Sequence, residues 1–181
     1  MKTIMKLFTI AVCICLPIFG MSQSILDKFE DSDRVGSITI SKAMLTIVAD
    51  AMSHDKNEDT KDFVELAKSI DNIKVFISED KGASADMAVT MKQYVKSSRL
   101  EELMKIRDKD TNLRFYIKNG KNGNNVEELL MFVTGIEDEK GNDFKFETIL
   151  LTMTGDIDLA KVSSLTNKMN LPKELNRVNQ H

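Results

Sequence analysis

Ser53-His54-Asp55-Lys56 holds the residue types of a nucleophile–base–acid relay, and it also spells S-x-x-K. A relay needs three side chains converging from different directions, which sequence neighbours do not supply. The Ser/Lys pair works where it opens a helix with the serine at a cleft. Here the four residues follow a predicted helix and head a charged linker, so they are read as a solvated loop. Asp55, Asn57 and Asp59 match the first three ligand positions of a calcium loop. The sixth position is Thr60 instead of Gly and the twelfth is Leu66 instead of Glu, which leaves open only weak cation binding by residues 54–59. Glu137-Asp138-Glu139 is a second acidic tip, read as a solvated hairpin end that discourages edge pairing. The histidines are His54 and His181, too few for a histidine-based zinc site or a histidine general base. Among 28 acidic residues no pair stands out for acid–base work. No catalytic, cofactor-binding or metal-ligating residue is therefore assigned, and no cofactor is expected.

Two other groups of residues could do something short of catalysis. Lys42 follows the first predicted strand and opens a helix, where a lysine ordinarily points into water. The methionines at 44, 52, 87, 91, 104, 131 and 153 all fall on predicted apolar faces. They are assigned to the core, with a methionine-lined groove as the alternative, because the side chain fills irregular gaps and also lines adaptable surfaces. The loop from Asn119 to Asn125 is read as a flexible hairpin whose Asn and Gly are what the turn requires.

The elements that must position these residues begin after a leader. Lys2 and Lys6 precede an apolar run from Leu7 to Phe19, and Gly20-Met21-Ser22 puts small residues where a signal peptidase reads. The expectation is a signal peptide over residues 1–22 with cleavage after Ser22, since the run is short for a bilayer span. Cys13 and Cys15 lie inside the run, preceded by Val12 and Ile14, a poor match to a lipidation site. The mature chain would lack cysteine, hence disulfides and thiolate chemistry. Losing two lysines takes the formal net charge from −3 to −5, which disfavours nucleic acid as a partner.

Residues 23–181 read as one domain with the tail 173–181 frayed. Val35–Ile40 alternates as a strand. Met44, Ile47, Val48, Ala51 and Met52 give a helix with one apolar face, and Phe63, Leu66, Ala67 and Ile70 give a second. Ile73–Ile77 is a strand. A third helix carries Met87, Met91, Tyr94 and Val95 inward and breaks at Ser97-Ser98; Leu100, Leu103, Met104 and Ile106 continue as a fourth. Leu113–Lys118, Val126–Thr134 and Phe144–Met153 form a three-strand meander, joined by turn-rich links over residues 119–125 and 137–142. The five apolar residues Leu129–Val133 predict a central strand covered on both faces over its middle. Gly155-Asp156 turns the chain, Asp156 or Asp158 caps a last helix with Leu159, Val162, Leu165 and Met169 inward, and Pro172 lies beyond its end. The order β-α-α-β-α-α-β-β-β-α predicts an α+β fold: a mostly antiparallel sheet of about five strands with helices mainly on one face.

Four stretches in this order, Ser37–Met44, Glu101–Met104, Val126–Met131 and Thr152–Leu159, with their "ISKAM" and "GDIDL" landmarks, resemble the domain of unknown function 4252 family over roughly Phe29 to Leu165. The resemblance implies a small exported α+β protein of the kind found mainly in Bacteroidetes. It implies no activity, cofactor or site residue.

The function expected is that of an exported cell-envelope protein, periplasmic or at the cell surface, acting as a non-enzymatic binding module through an uncovered sheet face or its helix layer. Its partner would be an envelope protein or component; no nucleic acid and no stable membrane span of the mature chain are expected, and the oligomeric state stays open. The alternatives are a hydrolase built on two carboxylates that meet in an apolar pocket, and a carrier of a small hydrophobic ligand in a cavity lined by Met44, Met87 and Met91.

Overall fold

The computed structural model describes residues 24–55, 57–108, 111–121, 125–136 and 146–162, and of residue 59 the backbone alone. The leader with Cys13 and Cys15, the acidic tip Glu137–Glu139, Phe144, the continuation of the last helix through Leu165 and Met169, the tail and His181 lie outside the described residues.

The chain enters through a 3-10 turn at Asp27–Phe29. Then follow β1 (Gly36–Ser41), α1 (Lys42–Met52), α2 (Glu58–Ser69), β2 (Ile70–Ser78), α3 (Lys81–Ser98), β3 (Glu101–Asp108), β4 (Thr111–Asn119), β5 (Val126–Thr134) and β6 (Thr148–Ile157). The strands form one sheet in the order β1-β2-β6-β5-β4-β3, and every neighbouring pair is antiparallel. The fold is thus α+β around an antiparallel sheet, with six strands in place of about five. α1, α2 and a turn of helix opening at Asp158 lie on one face, and α3 with the 3-10 turn lies on the other, so the helices divide between the two faces instead of lying mainly on one.

The extra strand corrects the fourth predicted helix. Leu100, Leu103, Met104 and Ile106 have helical spacing, but α3 runs through Ser97-Ser98 and ends at Arg99, whose left-handed backbone (φ 56, ψ 44) turns the chain. Glu101–Asp108 then pairs with β4, and the register slips between Glu102 and Met104. That bulge inserts a residue, so the residues facing one side are 101, 104 and 106, and period two is disguised as something nearer a helix. β6 is also displaced from its predicted span: the strand continues through Gly155-Asp156 to Ile157. Gly155 holds φ +149, and a Cβ there would meet the Ser69 carbonyl oxygen at 2.3 Å. The backbone of β6 therefore passes close against the junction of α2 and β2, which only glycine permits.

α3 starts where the Asp80 carboxylate accepts from the Ala83 N–H at 2.6 Å, an N-cap of about 1 kcal/mol. It lays Met87 and Met91 onto Phe76, Leu130, Phe132 and Leu150. Phe29 from the 3-10 turn meets Phe76 edge-on, centroids 5.8 Å apart. Lys74 pins the same turn, bonding Asp27 at 2.7 Å and Glu30 at 2.8 Å. Burial alone would lower the Lys74 pKa, but the two carboxylates outweigh it and raise it.

Candidate functional site

The alternation of six paired strands sorts their side chains into two faces. Under α3 the face is closed. Phe76, Leu130 and Leu150 are fully buried, and Phe132 and Tyr116 nearly so. Its lower end holds Glu128, 6% exposed. Burial raises the pKa of this carboxyl against the opposing effects of a Tyr94 hydrogen bond and the Lys118 charge. Burial together with the Glu128 charge pushes the Tyr94 hydroxyl up to about 12. Beside Tyr94 lies a recess of about 80 Å³ bordered by Asn72, Lys74 and Thr152, the space of a few waters at most. A larger, polar cleft of about 540 Å³ lies between the 3-10 turn and Thr90-Gln93 of α3.

The other face is apolar apart from Gly36 and Glu101 at its two edges. Its lower row, read across the paired strands, is Ile40, Ile73, Met153, Leu129, Ile117 and Glu101. The middle row is Ile38, Val75, Leu151, Met131, Phe115 and Met104. The upper row is Gly36, Ile77, Ile149, Val133, Leu113 and Ile106. Leu66 and Ile70 of the α2–β2 junction, Leu45 of α1, and Leu159 and Val162 cluster with the lower row and reach Leu151. Asp158 caps the turn that carries Leu159 and Val162, its carboxylate accepting from the Ala160 N–H at 2.9 Å, and Lys161 ties that turn to Glu65 of α2. Of the twelve positions in the middle and upper rows only Leu113 is buried. Among the described residues, then, helices roof one third of this face and leave two thirds half-exposed.

This placement revises two expectations. Leu129, Leu130 and Phe132 of the central strand β5 are buried, but Met131 and Val133 are half-exposed, so β5 is covered on both faces only at its lower end. α1 is rotated from its predicted setting. Leu45 and Ala49 turn inward, while Met44, Ile47 and Met52 stand 54%, 65% and 39% exposed. Of its three alanines only Ala49 is buried, and Leu45 and Val48 beside it are partly buried. The methionines accordingly divide: Met87 and Met91 are core, while Met104, Met131 and Met153 belong to the apolar face.

The other sequence candidates do not converge among the described residues, outside which Lys56 lies. Ser53 Oγ donates to the Asp50 carbonyl at 2.7 Å and lies 3.5 Å from His54 Nδ1 on an exposed turn. Asp55 accepts from the Asn57 N–H at 3.0 Å and the Thr60 hydroxyl at 3.1 Å, which turns the chain into α2. Lys42 is exposed and bonds Asp71 at 2.6 Å. In the Asn119–Asn125 loop the Gly120 N–H donates to the Asn125 carbonyl at 2.9 Å; its residues 122–124 lie outside the described residues. No group of three His, Cys, Asp or Glu among the described residues could hold a metal. Glu128 is the one buried carboxylate among them, and it faces Tyr94, not a second acid. Met44 stands on α1 while Met87 and Met91 lie in the core beyond the sheet, so these three line no common cavity. No described helix is long and apolar enough to cross a membrane.

The half-open apolar face had one signal in the sequence, the Met-rich strands, but nothing in their spacing says which strands lie under a helix. Compared with known proteins, the chain matches the family model described as Domain of unknown function (DUF4252) over residues 29–165. No curated protein and no solved structure matches it.

Proposed function

The chain belongs to the DUF4252 family, and from that premise we propose that it is an exported, non-enzymatic binding module that holds an envelope protein or component against the open face of its sheet. The observation that carries this reading is the pair of apolar rows from Ile38 to Met104 and from Ile77 to Ile106, in which only Leu113 is buried, on a six-stranded sheet. Monomeric proteins rarely leave contiguous apolar surface of that extent without a use. Full burial of an exposed Leu, Ile or Phe is worth about 1.5–3 kcal/mol, and these half-buried residues would each contribute a fraction of that when covered. Export is supported by the basic, apolar and small-residue succession of residues 1–22.

The test is site-specific photo-crosslinking in cells. A photoreactive residue at Phe115 or Met131 on the open face should give discrete adducts. The same residue at Val89, exposed on α3, should give none. The protein recovered should begin at Gln23 and fractionate outside the cytoplasm. Equal labelling at Val89 and Met131, or turnover of a hydrolase substrate panel, would overturn the reading.

A further inference from the structure

The two edges of the sheet differ in kind. β3 carries Glu101, Glu102, Lys105, Arg107 and Asp108 and is bulged between Glu102 and Met104, the devices by which sheets refuse another strand. β1 has none of them. It reads Gly36-Ser-Ile-Thr-Ile-Ser41, without charge, proline or bulge, and all but Ile40 are exposed. The five residues Ser37-Ile38-Thr39-Ile40-Ser41 are the same read in either direction.

We propose that β1 is the seat of a second copy of this chain, paired antiparallel about a two-fold axis at Thr39. A two-fold interface brings the same patch of both copies together and must be complementary to itself. A palindromic strand meets that condition at every position. Thr39 faces its own counterpart, Ile38 faces Ile40 and Ser37 faces Ser41, all pairings that strengthen an antiparallel ladder. An axis perpendicular to the sheet keeps each face continuous, so both Ile38–Ile40 pairs fall on the apolar face and Ser and Thr fall on the other. On that other face Thr39 bonds Glu30 at 3.4 Å, and Glu30 is held by Lys74 at 2.8 Å, so the carboxylate nearest the axis is already paired. The strand runs directly into α1, whose side toward α2 pairs Asp50 with Lys68 at 2.9 Å. Met44, Ile47 and Met52 of that helix are exposed, as is Ile38 of the strand. The dimer would make one twelve-stranded sheet and join the two open faces into a single surface. The pairing does not depend on the binding function proposed above.

Directly opposed residues of an antiparallel pair lie about 4.5–5.5 Å apart at Cα, within disulfide reach of roughly 4.4–6.8 Å. In a chain with Cys13→Ser and Cys15→Ser, Thr39→Cys should therefore oxidise to a disulfide-linked dimer. Ser37→Cys, which faces Ser41, and Leu103→Cys on the opposite edge should remain largely uncrosslinked. Sedimentation of the unmodified chain should show a concentration-dependent dimer. Ile38→Lys should abolish it, and Leu103→Lys should leave it intact, with circular dichroism and melting temperature confirming that both variants fold. A monomer at every concentration overturns the proposal. So does a dimer without the Thr39→Cys crosslink, or a monomer that instead takes up foreign extended peptides at this edge.

Discussion

The two faces of this sheet are built from the same strands and differ in what was laid over them. On the α3 face the large residues Phe76, Leu130 and Leu150 are fully buried. On the other face their immediate neighbours Val75, Met131 and Leu151 are half-exposed, although they are no more polar. An eighteen-residue helix closes the first face. On the second, α1 and α2 pack on each other and, among the described residues, cluster with the lower row and Leu151 of the row above it. Hydrophobicity of a strand therefore does not decide its burial here; the reach of the covering helices does.

The largest effect should come from the closed face. Phe76→Ala empties a fully buried site and should cost about 3–5 kcal/mol in urea unfolding, whereas Phe115→Ala, half-exposed on the open face, should cost about 1 kcal/mol. Equal losses would mean that the second face is as closed as the first. Gly155→Ala tests the seam where the lower row is roofed. A Cβ at φ +149 would press on the Ser69 and Ile70 backbone, and the expected loss is about 2–3 kcal/mol; a neutral result would show that α2 can lift away freely.

The smallest effect concerns Glu128, the buried carboxylate of the closed face. Burial holds the folded-state pKa of Glu128 above its unfolded value. The folded state therefore binds more protons between the two values, and stability falls as pH rises from about 4.3, the usual carboxyl range, through the folded value. Glu128→Gln should flatten that decline and be the more stable form at neutral pH, read from unfolding free energies across the range. A variant that keeps the wild-type slope would place the titration elsewhere.

Much of this architecture was legible residue by residue. Val126–Thr134 has the bounds that its apolar run predicted. The inward residues of α3, Met87 and Met91, are those that the helical spacing selected. Legibility failed where a pattern was locally broken. The bulge in β3 shifted its apolar residues into a helix-like spacing. The short α1 has apolar residues nearly all round, so periodicity could not say which side faces inward. The candidate site was less legible than the fold. Its rows take one or two residues from each of six strands, and a row exists only after those strands are ordered and registered.

Alternation, turn chemistry and caps act over a few residues, and for that reason the sequence alone determined that this chain alternates strands and helices and that its last strands run back and forth. The tertiary structure alone decided that β1 and β3 stand at the margins, that β6 lies between β2 and β5, and that the described helices cluster chiefly with one row of an apolar face. Those outcomes depend on which distant segments reach one another and how far they extend, which no local pattern encodes.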